Sequence, residues 1–548
     1  MSEHGPQRWV GNWSGRRAAL TPDGVGLVDA ATGAEYTYAD LDRRANRTAR
    51  LLAEYGVRAG GSGESGESPR GESAAADEEP GSVTVIARNR PEYVDLFFGT
   101  GKTGGVLAPL SYRLAPPELA ALLDDVDPSL LVVEEPFADG VVEALELADV
   151  DPAALSLTTN AVATWEPYGD ALPDEDAAYD GPELAPGDPH LLLHTGGSTG
   201  TPKETEICHE AIAWNSMNTI TSWGLRPDDV TPMVFPMFHT GGWNVLTLPV
   251  FHMGGTVVID REFEPGEVLG LIEERDATVL VAVPAVLRAM TEHDRWAETD
   301  LSSLRFAKSG GGPCREAVMQ AWWDRGVDLS QGYGLTECGP NNFAMPEGWD
   351  RGKADTVGVP AMHVDARVVD DEGRELDPGA VGELELRSPH SATCYRGRDE
   401  ETAATFGDEA AAADGPRTGG AWLSTGDLAR IDEDGYVSVQ GRKSDMFVSG
   451  GENVYPAEVE DAVADHPAVG EVVVIPVDDE QWGRVGKAVI EPTADPDAAP
   501  PSADDLAAFL DGRLAGYKRP RHVAVVDELP KSGPAKVDRE AVQRAFGD

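Results

Sequence analysis

Lys203 closes a stretch, residues 195–203, in which Gly196, Gly197 and Gly200 are interspersed with the hydroxyl side chains of Thr195, Ser198, Thr199 and Thr201. Glycine lets a backbone turn and approach a ligand closely, hydroxyls donate hydrogen bonds and the lysine adds a positive charge. Together these are the requirements of a cradle for a triphosphate. The apolar run Leu191, Leu192, Leu193 reads as a strand that delivers the loop to a sheet end, where ligands bind in open α/β folds. Flexible surface loops share this composition, so the loop alone leaves both readings open. A second glycine stretch, GTGKTGG at 99–105, looks like the end of a phosphate-binding P-loop. The glycine that pattern needs five positions earlier is Leu96, and LFFGTGKTGGVLAPL reads as a helix leading into a strand, so this stretch is structural.

Behind these residues, LDRRANRTARLLAEYG spaces its apolar positions as a helix that stops at Gly56, and VTVIA reads as a buried strand. Between them, residues 61–81 carry Gly, Ser, Glu and Pro with almost nothing to bury and form an acidic surface insert. Strand and helix then alternate to about residue 330, the pattern of a parallel sheet covered on both faces. Near residue 441 the pattern changes: YVSVQG as a strand, GRKSD as a polar break, then helix, strands, helix and a last strand, HVAVV. That is an α+β set large enough to stand as a small domain. The expected fold is α/β, with a large N-terminal domain of layered subdomains over 1–441 and a small, mobile α+β domain over 442–548.

The 548 residues carry 44 basic and 96 acidic side chains, a net charge of −52. Such a surface repels nucleic acid and anionic membranes. It suits a cytosol rich in potassium salt, where a Debye length of roughly 3 Å at 1 M screens self-repulsion. No run reaches the roughly 18 to 20 apolar residues of a membrane span, and the N-terminus lacks a basic start followed by an apolar core, so a cytoplasmic location is expected. Cys208, Cys314, Cys338 and Cys394 lie far apart and indicate neither a zinc site nor a disulfide framework.

HTGGSTGTPKE, at 194–204, resembles the phosphate loop of the adenylate-forming superfamily, which includes acyl-CoA synthetases, adenylation domains of peptide synthetases and beetle luciferases. Further motifs follow in that family's order over most of the chain. SGGGP resembles the turn that lets Gly310, Gly311 and Gly312 lie against adenine. In QGYGLTECG the resemblance implies that Tyr333 stacks on adenine, Thr336 bonds phosphate and Glu337 holds Mg²⁺, an ion that prefers carboxylate and phosphate oxygens. STGDLARIDEDGYVSVQGRKSDMF resembles the ribose-binding and hinge region. There Asp427 accepts from the ribose hydroxyls, Arg442 assists at ribose or phosphate, and Ser444 occupies the hinge.

SGGENVYPAEVE resembles the lining of a pantetheine tunnel, with Gly450 and Gly451 leaving room for CoA. LPKSGPAKVDR places Lys536 on the family's catalytic lysine. FPMFHTGGWNVLTLPV resembles the segment beside the acyl pocket, where His239 marks the boundary with the thiol tunnel and Gly241, Gly242 and Trp243 shape the pocket; a packed core histidine is the competing reading of His239. Three positions depart from the family's pattern. Gly197 and Glu204 stand where Thr or Ser and then Gly are frequent, Ser444 stands for Asp or Lys, and Ala535 for Gly.

The resemblance implies a two-step AMP-forming acid–CoA ligase that uses ATP, Mg²⁺ and CoA, with a medium- or long-chain fatty acid as expected substrate and a halophilic archaeon as expected source. An aryl acid such as o-succinylbenzoate is the alternative. A stand-alone adenylation enzyme loading a separate carrier protein is another, since no carrier domain follows Asp548 in this sequence. A non-enzymatic nucleotide sensor is disfavoured by the joint presence of Glu337, Asp427 and Lys536. A homodimer is compatible with the reading.

Overall fold

The helix expected to stop at Gly56 runs over Tyr38–Glu54. It starts on a reciprocal cap in which the Thr37 side chain accepts from Asp40 N while Asp40 accepts from Thr37 N. Such a cap is worth about 1 kcal/mol. Gly56 follows at φ +81°, a conformation that ends the helix without a Cβ penalty. The computed structural model describes residues 10–60, 79–159, 162–195, 202–407, 420–479, 481–493, 499–531 and 537–547. Most of the acidic insert at 61–81, together with Ser198, Thr199, Gly200 and Lys536, lies outside them.

The chain forms two compact units, one of Met1–Pro346, Pro360–Asp365 and Leu386–Leu423, the other of Glu347–Val359, Ala366–Glu385 and Ser424–Asp548. In the first, an eight-stranded sheet has the order Cys394–Tyr395, Lys203–Cys208, Pro189–Thr195, Val106–Pro109, Ser82–Ile86, Leu130–Val133, Ala153–Ser156, Glu166–Pro167. Pairing is parallel from Pro189–Thr195 onward and antiparallel at the Lys203–Cys208 edge. The strand Ser82–Ile86 is buried along its whole length because it lies inside a sheet covered on both faces. Each such apolar side chain contributes roughly 1.5–3 kcal/mol on burial. A four-stranded sheet (Val230–Met233, Thr256–Ile259, Val25–Asp29, Ala34–Thr37) and a parallel three-stranded sheet (Val279–Ala282, Phe306–Ser309, Leu329–Gln331) also belong to this unit.

The GTGKTGG stretch ends the helix Pro91–Thr103, and Gly104 at φ +73° turns it into the strand Val106–Pro109, as the sequence predicts. Lys102 is held by Asp42 Oδ1 at 2.8 Å and Asn12 Oδ1 at 2.9 Å, a structural role inside the unit.

The second unit contains two sheets. One pairs Asp365–Val369, Val381–Arg387, Leu423–Ile431 and Val437–Arg442; the other contains Glu452–Val454, Phe447–Ser449, Gly483–Pro492, Val469–Asp479 and His522–Val525. The helices Pro456–Ala464 and Ala503–Phe509 bury Val459, Val463 and Leu506 against one face of the second sheet, and Arg539–Phe546 buries Val542 against the other. The strands Leu423–Ile431 and Val437–Arg442 belong to the first of these sheets, and the compact units part at several places in the chain, among them 423–424. Among the described residues no helix is long and apolar enough to cross a membrane.

Candidate active site

Thr195 and Lys203 face each other as the last register pair of an antiparallel ladder, so the phosphate-loop stretch is clasped at its base by two paired strands. Alternation along a strand puts Thr195, Lys203 and Thr205 on one face and His194 and Glu204 on the other. On the first face the Thr195 and Thr205 hydroxyls lie 3.4 Å apart. On the second, the Glu204 carboxylate sits 3.4 Å from His194 Nε2, both nearly buried. The unusual Glu204 therefore carries its charge away from the Lys203 side of the loop.

Lys203 Nζ lies 4.6 Å above the ring of Tyr395. The same tyrosine donates its hydroxyl to Glu337 Oε1 at 2.8 Å. Three segments distant in sequence thus bring a phosphate-loop cation and a half-buried carboxylate to one aromatic ring. Sequence reasoning missed Tyr395: nothing in CYRGRDEE marks it, and the contact exists only because Cys394–Tyr395 pairs with Lys203–Cys208 at the sheet edge. The Glu337 backbone is fixed by Ala392, whose N–H donates to its carbonyl at 2.8 Å. Among the described residues no group of three or more His, Cys, Asp or Glu could hold a metal by itself. A single carboxylate fits Mg²⁺ nonetheless, because that ion keeps several waters and takes its remaining oxygens from substrate phosphates.

Gly310, Gly311 and Gly312 follow the strand Phe306–Ser309, with Gly311 at φ +83°. A Cβ added at Gly310 would meet nothing within 4 Å, so the backbone there borders open space that a flat ring can use. Tyr333 follows the neighbouring strand Leu329–Gln331 and meets Phe343 edge-on at 5.8 Å between ring centroids. The turn after it folds tightly: a Cβ at Gly334 would come within 2.2 Å of Pro340 O. On the strand before Gly310, Lys308 is pushed down to about 8 by burial and donates to Ser330 Oγ at 3.2 Å.

In the segment expected beside the acyl pocket, His239 is exposed, with its ring 4.5 Å from Phe238. Trp243 is fully buried; its indole N–H donates to Met237 O at 2.7 Å and its ring stacks on Phe97 at 5.0 Å. Added Cβ atoms at Gly241 and Gly242 would strike Phe235 and the Pro236 carbonyl. These three residues hold the 235–243 turn together, and His239 is the member of the set that reaches the surface.

In the second unit Asp427 and Arg442 are register partners on adjacent strands, with Nε 2.9 Å from Oδ1. The Asp427 carboxylate is nearly buried and its backbone N–H donates to Thr425 Oγ1 at 3.1 Å. Gly441 has φ +121°, and the Ser444 hydroxyl donates to Asp445 Oδ1 at 3.2 Å. Gly450 and Gly451 turn between two short strands and differ in their surroundings. A Cβ at Gly450 would meet the Trp482 ring at 2.4 Å, whereas at Gly451 it would meet nothing within 4 Å. Lys536 itself is outside the described residues, but a bridge between Lys531 and Val537 closes the base of its segment.

The AMP-binding enzyme family model matches residues 75–396, and the model of the AMP-binding enzyme C-terminal domain matches 458–536. A feruloyl-CoA synthase of an Amycolatopsis species is 34% identical over 538 residues, spanning 98% of this chain and 99% of that protein. A long-chain fatty-acid–CoA ligase of Mycobacterium tuberculosis is 30% identical over 534 residues, 97% of each. The crystal structure of ATP-bound MatB from Rhodopseudomonas palustris superimposes with a TM-score of 0.84 at 28% identity, covering 98% of this chain and 99% of that one.

Proposed function

We infer the working of the site from one premise: the chain belongs to the AMP-binding enzyme family and is an AMP-forming acid–CoA ligase that uses ATP, Mg²⁺ and CoA as co-substrates. The observation that carries the residue assignments is the convergence of Lys203 and Glu337 on Tyr395.

In the first half-reaction a carboxylate oxygen of the acid attacks the α-phosphorus of ATP. A new acyl O–P bond forms, the α–β bridging bond breaks, and pyrophosphate leaves with its charge. Thr195, Ser198, Thr199, Gly200 and Lys203 cradle the departing phosphates, and Thr336 bonds phosphate. Lys536 holds the acid's carboxylate at the α-phosphate. These are donors aimed where charge develops, the electrostatic catalysis that phosphoryl and nucleotidyl transfer needs. Glu337 would hold Mg²⁺, which would supply further charge neutralisation at the departing phosphates. Gly310, Gly311, Gly312 and Tyr333 bind adenine, and Asp427, steadied by Arg442, takes the ribose hydroxyls.

In the second half-reaction the CoA thiolate attacks the acyl carbonyl and AMP leaves. The 442–548 domain turns about Gly441 and Ser444, withdrawing Lys536 and presenting Gly450 and Gly451; the open space at Gly451 supports it as the closer neighbour of the pantetheine arm. His239 stands between the acyl group and the thiol.

For the acid, the fatty-acid expectation is supported by the Mycobacterium relative, and the aryl alternative by the feruloyl-CoA synthase at 34% identity. We place the aryl acid first on that similarity. The net charge of −52 supports a potassium-rich, halophilic cytosol as the working environment. The test is pyrophosphate release in molar KCl over ferulate, benzoate, o-succinylbenzoate, octanoate and palmitate, with and without CoA. Release that needs an aryl acid, with its CoA thioester as product, is expected. A preference for palmitate returns the fatty-acid reading, and release without thioester formation removes CoA as the acceptor.

A further inference from the structure

Arg16 and Arg17 have no carboxylate partner among the described residues, in a chain where acidic side chains outnumber basic ones 96 to 44. Arg17 Nη1 donates to the carbonyl of Met253 at 3.3 Å, and Arg16 is exposed. Elsewhere among the described residues arginines pair with carboxylates, as Arg44 does with Asp95 and Arg305 with Asp229. Arg16 and Arg17 both sit on the helix Trp13–Leu20 and line a cavity of about 180 Å³.

The rest of that cavity is apolar. Phe98 and Phe251 are buried in its wall with ring centroids 5.7 Å apart, and Ala213 and the exposed Leu20 complete it. His252 lines it as well, its ring 4.8 Å from that of Trp13, and its Nδ1 is buried without a hydrogen-bond partner among the described residues. An apolar cavity of roughly 150 Å³ holds a benzene ring, so this one takes an aromatic ring or a short alkyl chain. Two guanidiniums at its lip select an anion, and a carboxylate is the planar group their donors match best. A membrane surface is the poorer occupant, because the whole molecule at −52 is repelled by anionic lipid.

We propose that this cavity is a second binding site for a small amphiphilic carboxylate, with its apolar part against Phe98 and Phe251 and its carboxylate on Arg16 and Arg17. Phe98 meets Phe97 at 5.7 Å, and Phe97 stacks on Trp243 at 5.0 Å, so an occupant touches the aromatic layer behind the 235–243 turn without sharing its residues. The site needs no covalent step, and it does not depend on the assignment of the ATP-binding residues.

Equilibrium dialysis of the full chain in molar KCl tests it, with octanoate as probe and octanol and octylamine as neutral and cationic counterparts. One equivalent of octanoate is expected to bind at least tenfold more weakly in Arg16→Gln/Arg17→Gln, and to be lost in Ala213→Phe, which fills the cavity. Octanol and octylamine should bind the wild type at least tenfold more weakly than octanoate. Pyrophosphate release by Arg16→Gln/Arg17→Gln should match the wild type, which also shows that the variant is folded. Octanoate binding unchanged in both variants overturns the proposal. So does a parallel loss of acid activation in Arg16→Gln/Arg17→Gln at unchanged melting temperature, since the cavity would then belong to the acyl site. Capture of the wild type but not the variant by phosphatidylglycerol vesicles, with no octanoate difference between them, would replace the small molecule by a lipid surface.

Discussion

The hydroxyl of Tyr395 donates to Glu337 Oε1 at 2.8 Å across 58 residues of sequence. Because the same ring lies under Lys203 Nζ, at 4.6 Å, a change at Tyr395 reaches both Lys203 and Glu337, the two sides of the proposed triphosphate site. In Tyr395→Phe the ring stays and the bond to Glu337 goes. A hydrogen bond to a charged group is worth about 1.5–3 kcal/mol, so pyrophosphate release should fall roughly tenfold, with a higher magnesium requirement. Tyr395→Leu, which also removes the ring, should fall further by the roughly 0.5–2 kcal/mol of a cation–π contact. A magnesium titration of both variants checks this, and curves superimposable on the wild type would detach Tyr395 from the metal site.

Glu337→Gln keeps the size of the side chain and a carbonyl oxygen for the Tyr395 hydroxyl but removes the charge. The expected outcome is a magnesium requirement raised at least tenfold with the KM for the acid unchanged. Steady-state kinetics at fixed free ATP separate the two quantities.

Lys536→Ala should lower acyl-AMP formation by about 10²–10³-fold, the range seen when one preorganised donor is removed. Thioester formation from supplied acyl-AMP and CoA should be largely intact. Equal loss in both half-reactions would take Lys536 out of the first.

Acid should destabilise the first unit through its buried histidines. His190 donates from Nε2 to Phe97 O at 3.0 Å and stacks on His209 at 4.3 Å; burial pushes its pKa down to about 4 and that of His209 well below the usual value. The folded state holds both rings neutral, while the unfolded chain takes up protons below about 6.5. Stability is therefore complete above about 6.5 and falls as pH drops toward 4, by roughly 2 kcal/mol at pH 5 for His190 alone. Melting temperatures between pH 7.5 and 5 at constant KCl should fall, and more gently in His190→Phe.

Lowering KCl from 2 M to 0.1 M lengthens the Debye length to about 10 Å, which exposes the repulsion of a chain at −52. The melting temperature should fall steeply over that range. Indifference to salt would count against the halophilic setting.

Local chemistry made much of this protein legible in its sequence. Apolar spacing and Gly56 bound the helix Tyr38–Glu54, and the residues around Lys102 read as helix into strand and not as a nucleotide loop. The strand that leads into Thr195 and the helices and strands from Pro456 to Val525 follow from alternation and turn residues, which act between near neighbours, whereas the antiparallel partner Lys203–Cys208, the short strands Phe447–Ser449 and Glu452–Val454 and the helix Arg539–Phe546 do not stand out in the sequence. Tertiary packing decided the rest. It turned Glu204 toward His194 and away from the Lys203 face, buried Trp243 against Phe97, and filled the space beside Gly450 with Trp482. It also brought Tyr395 to Glu337 and left Arg16 and Arg17 at the lip of an apolar cavity. Each of these joins residues far apart in the chain, and which distant side chains meet is set by how sheets and helices pack, a property that periodicity and spacing do not carry.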